Sequence, residues 1–192
     1  MGGLGRLLGQ LSKDARARGR KFEQLCQWFL RTDPVYAGRL ARVWLWDDWP
    51  GRWGADAGID LVAETLSGEL WAVQAKAYDP RYSVTKADID TFLSESARPT
   101  FVYRLLLATT DRIGAQAAKT MDDQAIPAGS LGLAQLERSS VEWPAHLDDL
   151  QHRRPPPKRP LEHRRKRSPP CVPVSASTTA GNWSWPVGPA RR

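Results

Sequence analysis

The sequence predicts an α/β domain of order α-β-β-β-α-β, one mixed sheet flanked by helices, with a basic tail behind it. Three observations carry this. Apolar residues near the start recur at helical steps, two strand-like runs are joined by a short turn, and a second helical stretch leads into a long apolar run with few polar interruptions.

From Asp14 to Arg31, residues Phe22, Leu25, Cys26, Phe29 and Leu30 stand three and four apart, which marks an amphipathic helix ending before Asp33 and Pro34. "RVWLW" at 42–46 reads as a strand, and the turn-rich "DDWPGRWGADAG" at 47–58 follows it. "IDLVAE" and "LWAVQAK", separated by "TLSG", carry a hairpin signature. Thr85 with Asp88 three residues on is a helix start, and Ile89, Phe92 and Leu93 share one face. "FVYRLLLATT" at 101–110 is too apolar for a surface strand and is expected in the sheet interior. "IGAQAAKTMDDQA" predicts a further helix, and "GSLGLAQLERSSVEWP" a last short strand or helix. The domain is thus placed at 14–150, behind an extension at 1–13.

Net charge divides unevenly along the chain. Residues 1–150 hold 18 Lys plus Arg against 20 Asp plus Glu, a net −2, while 151–192 hold 10 against one, a net +9, so all of the excess behind the chain's +7 lies in the tail. Rich in Pro, Arg and Ser, that tail lacks periodic apolar residues to offset ordering entropy and reads as disordered or extended. It suits a non-specific phosphate-binding arm or a solvated linker. Cys26 and Cys171 are far apart with no C-x-x-C pair, so neither a disulfide framework nor a zinc cluster is indicated. No apolar run approaches the ~20 residues of a membrane span. A soluble, cytoplasmic protein with no membrane partner is expected. His146, His152 and His163 lie at or beyond the domain's end, and no phosphate-binding loop of an ATP-driven motor occurs.

Chemistry concentrates in the hairpin. Pairing Leu61 with Val73 sets Asp60 opposite Gln74, with Cβ atoms ~4.5–5.5 Å apart. Alternation then directs Asp60, Val62, Ala72, Gln74 and Lys76 to one face and Leu61, Ala63, Val73 and Ala75 to the other. An acid, an amide oxygen and an amine on one patch suit a hard divalent cation and metal-assisted phosphodiester hydrolysis. A solvated polar cluster on a strand is the competing reading.

"GID" followed by "QAK", with Gln74 fourteen residues after Asp60, resembles the PD-(D/E)xK nuclease signature in the Gln-x-Lys form of Mrr-like restriction endonucleases. "GRKFE" at 19–23 matches the family's first-helix pattern and contributes Glu23. The resemblance covers about residues 15–145 and extends to the N-terminal nuclease domain of bacterial restriction-associated helicases. It implies a restriction endonuclease-like core and DNA cleavage of restriction or phage-defence type. Mg²⁺, or Mn²⁺ in its place, would be held by Asp60, Gln74 and Glu23, with Lys76 catalytic and a helicase or motor domain as partner. Homodimerisation stays open. Two departures stand out: Ile59 replaces the motif proline, and Gln74 replaces a charged ligand, so an inactive DNA- or partner-binding module is the alternative. Arg52, Arg81 and Lys86 are candidate DNA contacts. Trp44, Trp46, Trp49 and Trp53 read as packing residues, with base stacking the competing role.

Overall fold

Two helices enter the domain, α1 (Gly3–Gly9) and α2 (Ala15–Thr32), in a computed structural model that describes residues 3–54 and 58–151. Asp14 starts α2 because its Oδ1 accepts the Ala17 N–H at 2.8 Å, satisfying a donor the helix cannot satisfy itself. Phe22, Leu25, Cys26, Phe29 and Leu30 are buried along one side, as the three–four spacing requires. Asp33 ends α2 and caps the short α3 (Pro34–Ala37), where Pro34 needs no donor. Leu4 and Leu7 of α1 enter the same core, so the stretch read as an extension contributes a packed helix. The basic tail lies outside the described residues.

The sheet has five strands in the order β1 (Leu40–Leu45), β2 (Leu61–Thr65), β3 (Leu70–Lys76), β4 (Phe101–Ala108) and β5 (Ala128–Leu131). The first three pair antiparallel and the last three parallel, giving the mixed sheet that the element order predicts. Leu61 stands opposite Val73, the register the hairpin implies. The helix α4 (Lys86–Glu95) connects β3 to β4, and α5 (Ala115–Asp122) connects β4 to β5, as parallel pairing demands. Asp88 secures the start of α4. It accepts from the Thr85 N–H and Oγ1 and from the Tyr78 and Tyr82 hydroxyls; burial raises its pKa, but these bonds outweigh that and hold it at about 2. The closing segment forms both β5 and α6 (Leu133–Arg138), where a single element was expected.

Helices cover both faces of the sheet. Leu61, Ala63, Val73, Ala75, Leu105 and Leu107 pack with α1 and α2, while Val62, Ala72, Leu106 and Ala108 pack with residues of α4 and α5. The hairpin therefore has no solvated polar face, and polar groups emerge at the end of the sheet. Trp46 and Trp49 are buried, and Trp53 meets the Trp46 ring edge-on at 4.8 Å between centroids, which makes this cluster packing. Among the described residues, no helix is long and apolar enough to cross a membrane.

Candidate active site

The regular alternation expected at Asp60 breaks there. β2 begins at Leu61, and the Asp60 N–H donates to the Val73 carbonyl at 3.0 Å rather than pairing with Gln74. Ile59 buries with Val62 and Ala72 instead of with Leu61. As at a β-bulge, the irregularity re-aims one side chain. The Asp60 carboxylate accepts the Ala75 N–H at 2.7 Å and lines a cleft beside α2. The expectation of Asp60 directly opposite Gln74 is thereby corrected: the acid contacts Gln74's neighbour.

Glu23 reaches that cleft from α2. The cleft holds about 660 Å³, and Glu23, Asp60, Asp47, Arg16, Gly19 and Arg20 are among its walls. Burial, and then the negative charge of Asp60, push the Glu23 carboxyl from 4.5 up to about 7, with Arg20 opposing. The same two acids lie close enough to Cys26 to add to the burial that raises its thiol. A pair of acids that repel each other in a cleft is an arrangement a cation relieves.

The raised Glu23 pKa makes ionisation costly to the fold. Above the ordinary value the folded chain binds more protons than the unfolded one. Its contribution to stability is therefore full below pH 4.5, falls as pH rises, and is lost above about 7. Glu23→Gln is expected to match the parent's Tm below pH 4.5 and to exceed it above pH 7, measured by thermal unfolding without divalent ions.

Gln74 is only 3 % exposed and lies on the α4 side of the sheet. Its Nε2 donates to the Gly58 carbonyl at 3.1 Å, which fixes the amide orientation, since an oxygen there would face an oxygen. Gly58 has φ 61°, and a Cβ on it would come within 3.0 Å of Thr91 Cγ2, so this close approach to α4 requires glycine. Gln74 Oε1 is left buried without a hydrogen-bond partner among the described residues. Buried acceptors rarely stay unsatisfied. Lys76 ends β3, where its carbonyl accepts the Thr109 N–H at 3.0 Å, and its side chain makes no ion pair among the described residues. Arg18 Nε bonds the Ala77 carbonyl at 3.2 Å, which draws the end of β3 toward the first turns of α2.

The structure thus joins Glu23 and Asp60 at one cleft and ties Gln74 to the segment leading into Asp60; Lys76 is not among the residues lining that cleft. Among the described residues, no cluster of three or more His, Cys, Asp or Glu side chains is placed to hold a metal ion. The candidate DNA contacts are exposed, but Arg52 pairs with Asp47 at 3.2 Å and Lys86 with Asp90 at 2.6 Å, so each already has a counter-charge. Arg81 is exposed, and its N–H is engaged with Asp79 Oδ1 at 2.8 Å. Gly19 opens the GRKFE pattern that contributed Glu23, but Arg16 and Arg20 were not singled out. The signal was present, since 16, 19, 20 and 23 recur at the same helical steps as the core stripe, one face over.

The restriction endonuclease family of the Mrr type matches residues 31–152, well over half the chain. The chain belongs to this family. Among solved structures, the domain is similar to an ATP-dependent Type ISP restriction-modification enzyme, LlaBIII, bound to DNA. The identity is 32 % and the TM-score 0.57, over 64 % of this chain and 8 % of that one. The restriction endonuclease domain therefore spans a small part of that enzyme's length. It is also similar to the MspJI restriction endonuclease in complex with a 27-mer oligonucleotide, at 20 % identity and TM-score 0.43, over 68 % of this chain and 29 % of that one. No curated protein sequence matches the chain significantly.

Proposed function

We propose that this domain is a metal-dependent DNA endonuclease of restriction or phage-defence type that works beside a helicase motor. The carrying observation is the cleft in which Glu23 and Asp60 meet, with Gln74 Oε1 buried and unpartnered beside the segment that leads into Asp60. The two carboxylates that line the cleft form a hard donor pair, which fits Mg²⁺, with Mn²⁺ as a substitute. Asp60 and Glu23 are the residues that would hold it, and the Gln74 amide, tied to Gly58 behind the segment that leads into Asp60, is the third candidate donor. Such an ion supplies a water activated near neutral pH and offsets charge on the attacked phosphate.

The chain's own groups divide the remaining work. Asp60 is oriented by the Ala75 N–H, so its second oxygen keeps a defined direction. Glu23, holding its proton to about pH 7, exchanges that proton for a cation at little cost. Lys76 supplies a positive charge toward the phosphate and a group able to pass a proton. The likeness to an ATP-dependent restriction-modification enzyme supports partnership with a motor.

Purified protein incubated with supercoiled plasmid and Mg²⁺ or Mn²⁺ is expected to nick or linearise it, and EDTA to stop this. Cleavage that persists in EDTA would overturn the metal requirement. No cleavage with either ion, with DNA still bound, would favour the binding-module alternative.

Gln74→Glu tests the third ligand. A carboxylate at this position would face the Gly58 carbonyl, so without metal the new acid must keep its proton to preserve that bond. We expect the variant to lose about 1–3 kcal/mol at neutral pH, the cost of a buried bond unmade. Mn²⁺ is expected to restore most of the lost Tm. A Tm that does not respond to Mn²⁺ would remove Gln74 from the ligand set.

A further inference from the structure

We infer that Arg16, Gly19 and Arg20 form a phosphate track on α2 that lays a DNA backbone along the cleft toward Asp60. The inference rests on the nuclease reading of that cleft and adds the surface that seats the substrate. All three residues line the cleft together with Glu23 and Asp60. Arg16 and Arg20 are four apart on one helix, so their side chains stack on one face with a rise of ~6 Å between them. Both are exposed, and neither side chain forms an ion pair or hydrogen bond with another described residue, although the Arg20 charge is near enough to Glu23 to oppose the rise in its pKa. Arg52 and Lys86, by contrast, are neutralised by acids of their own chain.

Electrostatics also sets these cations apart. The first turn of α2 carries no acidic residue, although the N-terminal end of a helix favours negative charge. Asp14 caps this end, Arg18 is bonded to the Ala77 and Lys13 carbonyls and Lys21 is paired with Asp148, which leaves Arg16 and Arg20 as the cations of the first two turns without a bonded partner among the described residues. An anion lying over Arg16 and Arg20 would supply the counter-charge they lack.

Gly19, the first residue of the GRKFE pattern, lies between the two arginines. Glycine inside a helix is unfavourable relative to alanine, so it needs a reason. Packing supplies none: a Cβ at this position would meet only Glu23 Oε1, at an ordinary 3.9 Å. What glycine does provide is a bare strip of helix between the two arginines, where a backbone as bulky as a phosphodiester can approach closely.

The test measures DNA binding by fluorescence anisotropy across a salt series, in EDTA, so that binding is read whether or not the protein cleaves. Arg16→Gln/Arg20→Gln is expected to bind at least ten-fold more weakly at low salt. Its slope of log affinity against log salt should be shallower by about 1–2, at roughly 0.9 for each phosphate that is no longer neutralised. Gly19→Ala should raise Tm, and Gly19→Leu should keep the parent's Tm yet weaken binding ten-fold or more by filling the strip. Wild-type affinity and slope in the double arginine variant would overturn the proposal, as would full-strength binding by Gly19→Leu. Failure of the nuclease reading would appear separately, as undiminished binding without cleavage when Mg²⁺ or Mn²⁺ is added.

Discussion

Asp60→Asn is expected to reduce DNA cleavage by about 10³-fold or more while the domain stays folded, the scale of removing a group that stabilises charge in the transition state. Asparagine is the informative replacement. Asp60 accepts the Ala75 N–H at 2.7 Å, and the asparagine carbonyl can keep that bond while the charge is removed. Alanine would strand the amide and confuse a chemical defect with a structural one. The substitution should also act at a distance that activity alone cannot read. Asp60 is the second cause, after burial, of the raised Glu23 pKa, so removing its charge should bring that pKa down from about 7. Two measurements check this together. Single-turnover cleavage should collapse, and the Mg²⁺-dependent rise in Tm expected of the parent should shrink or vanish. Cleavage at the parent's rate would discard the cleft as the active site.

Lys76→Met should slow cleavage by at least ~100-fold, typical of losing one acid–base or charge-stabilising group. Methionine retains the apolar stem and removes the ammonium. The backbone at this position is held by pairing with Ala108 and by the Thr109 N–H, so the fold should not suffer. DNA affinity and the metal response of Tm should stay within a few-fold of the parent. A variant that binds and cleaves normally would take Lys76 out of the mechanism. One that loses affinity in proportion to rate would reduce Lys76 to a phosphate contact.

The two variants also separate what kind of help each residue gives. Asp60 is expected to change metal response and chemistry together, because it is a proposed ligand. Lys76 is expected to change chemistry alone. The tail is expected to change neither, since its 10 cations against one acid suit it to sequence-independent attraction.

Much of this molecule was determined locally. The spacing of Phe22, Leu25, Cys26, Phe29 and Leu30 sets the buried side of α2, the pair Thr85 and Asp88 starts α4, and Leu61 meets Val73 as turn and pattern require. Each depends on near neighbours in the chain, where periodicity and capping act with little help from elsewhere. Glu23, Asp60, Gln74 and Lys76 became candidates for the same reason, as residue types at motif spacing on those elements. Their mutual geometry was not. Alternation assumes an unbroken strand, and at Asp60 the strand is broken: Ile59 is drawn into the core beside α4, and the acid turns to the cleft beside α2. Competition between two cores on opposite faces of one sheet decides that, and no stretch of sequence contains both. Burial likewise left Gln74 Oε1 without a partner and raised Glu23 to about 7, because desolvation depends on what packs around a group rather than on what adjoins it in the chain. Arg16 and Arg20 stood plainly in the helical pattern. Only the folded chain shows that Arg52 and Lys86 are neutralised by Asp47 and Asp90 while these two face the cleft unpaired among the described residues.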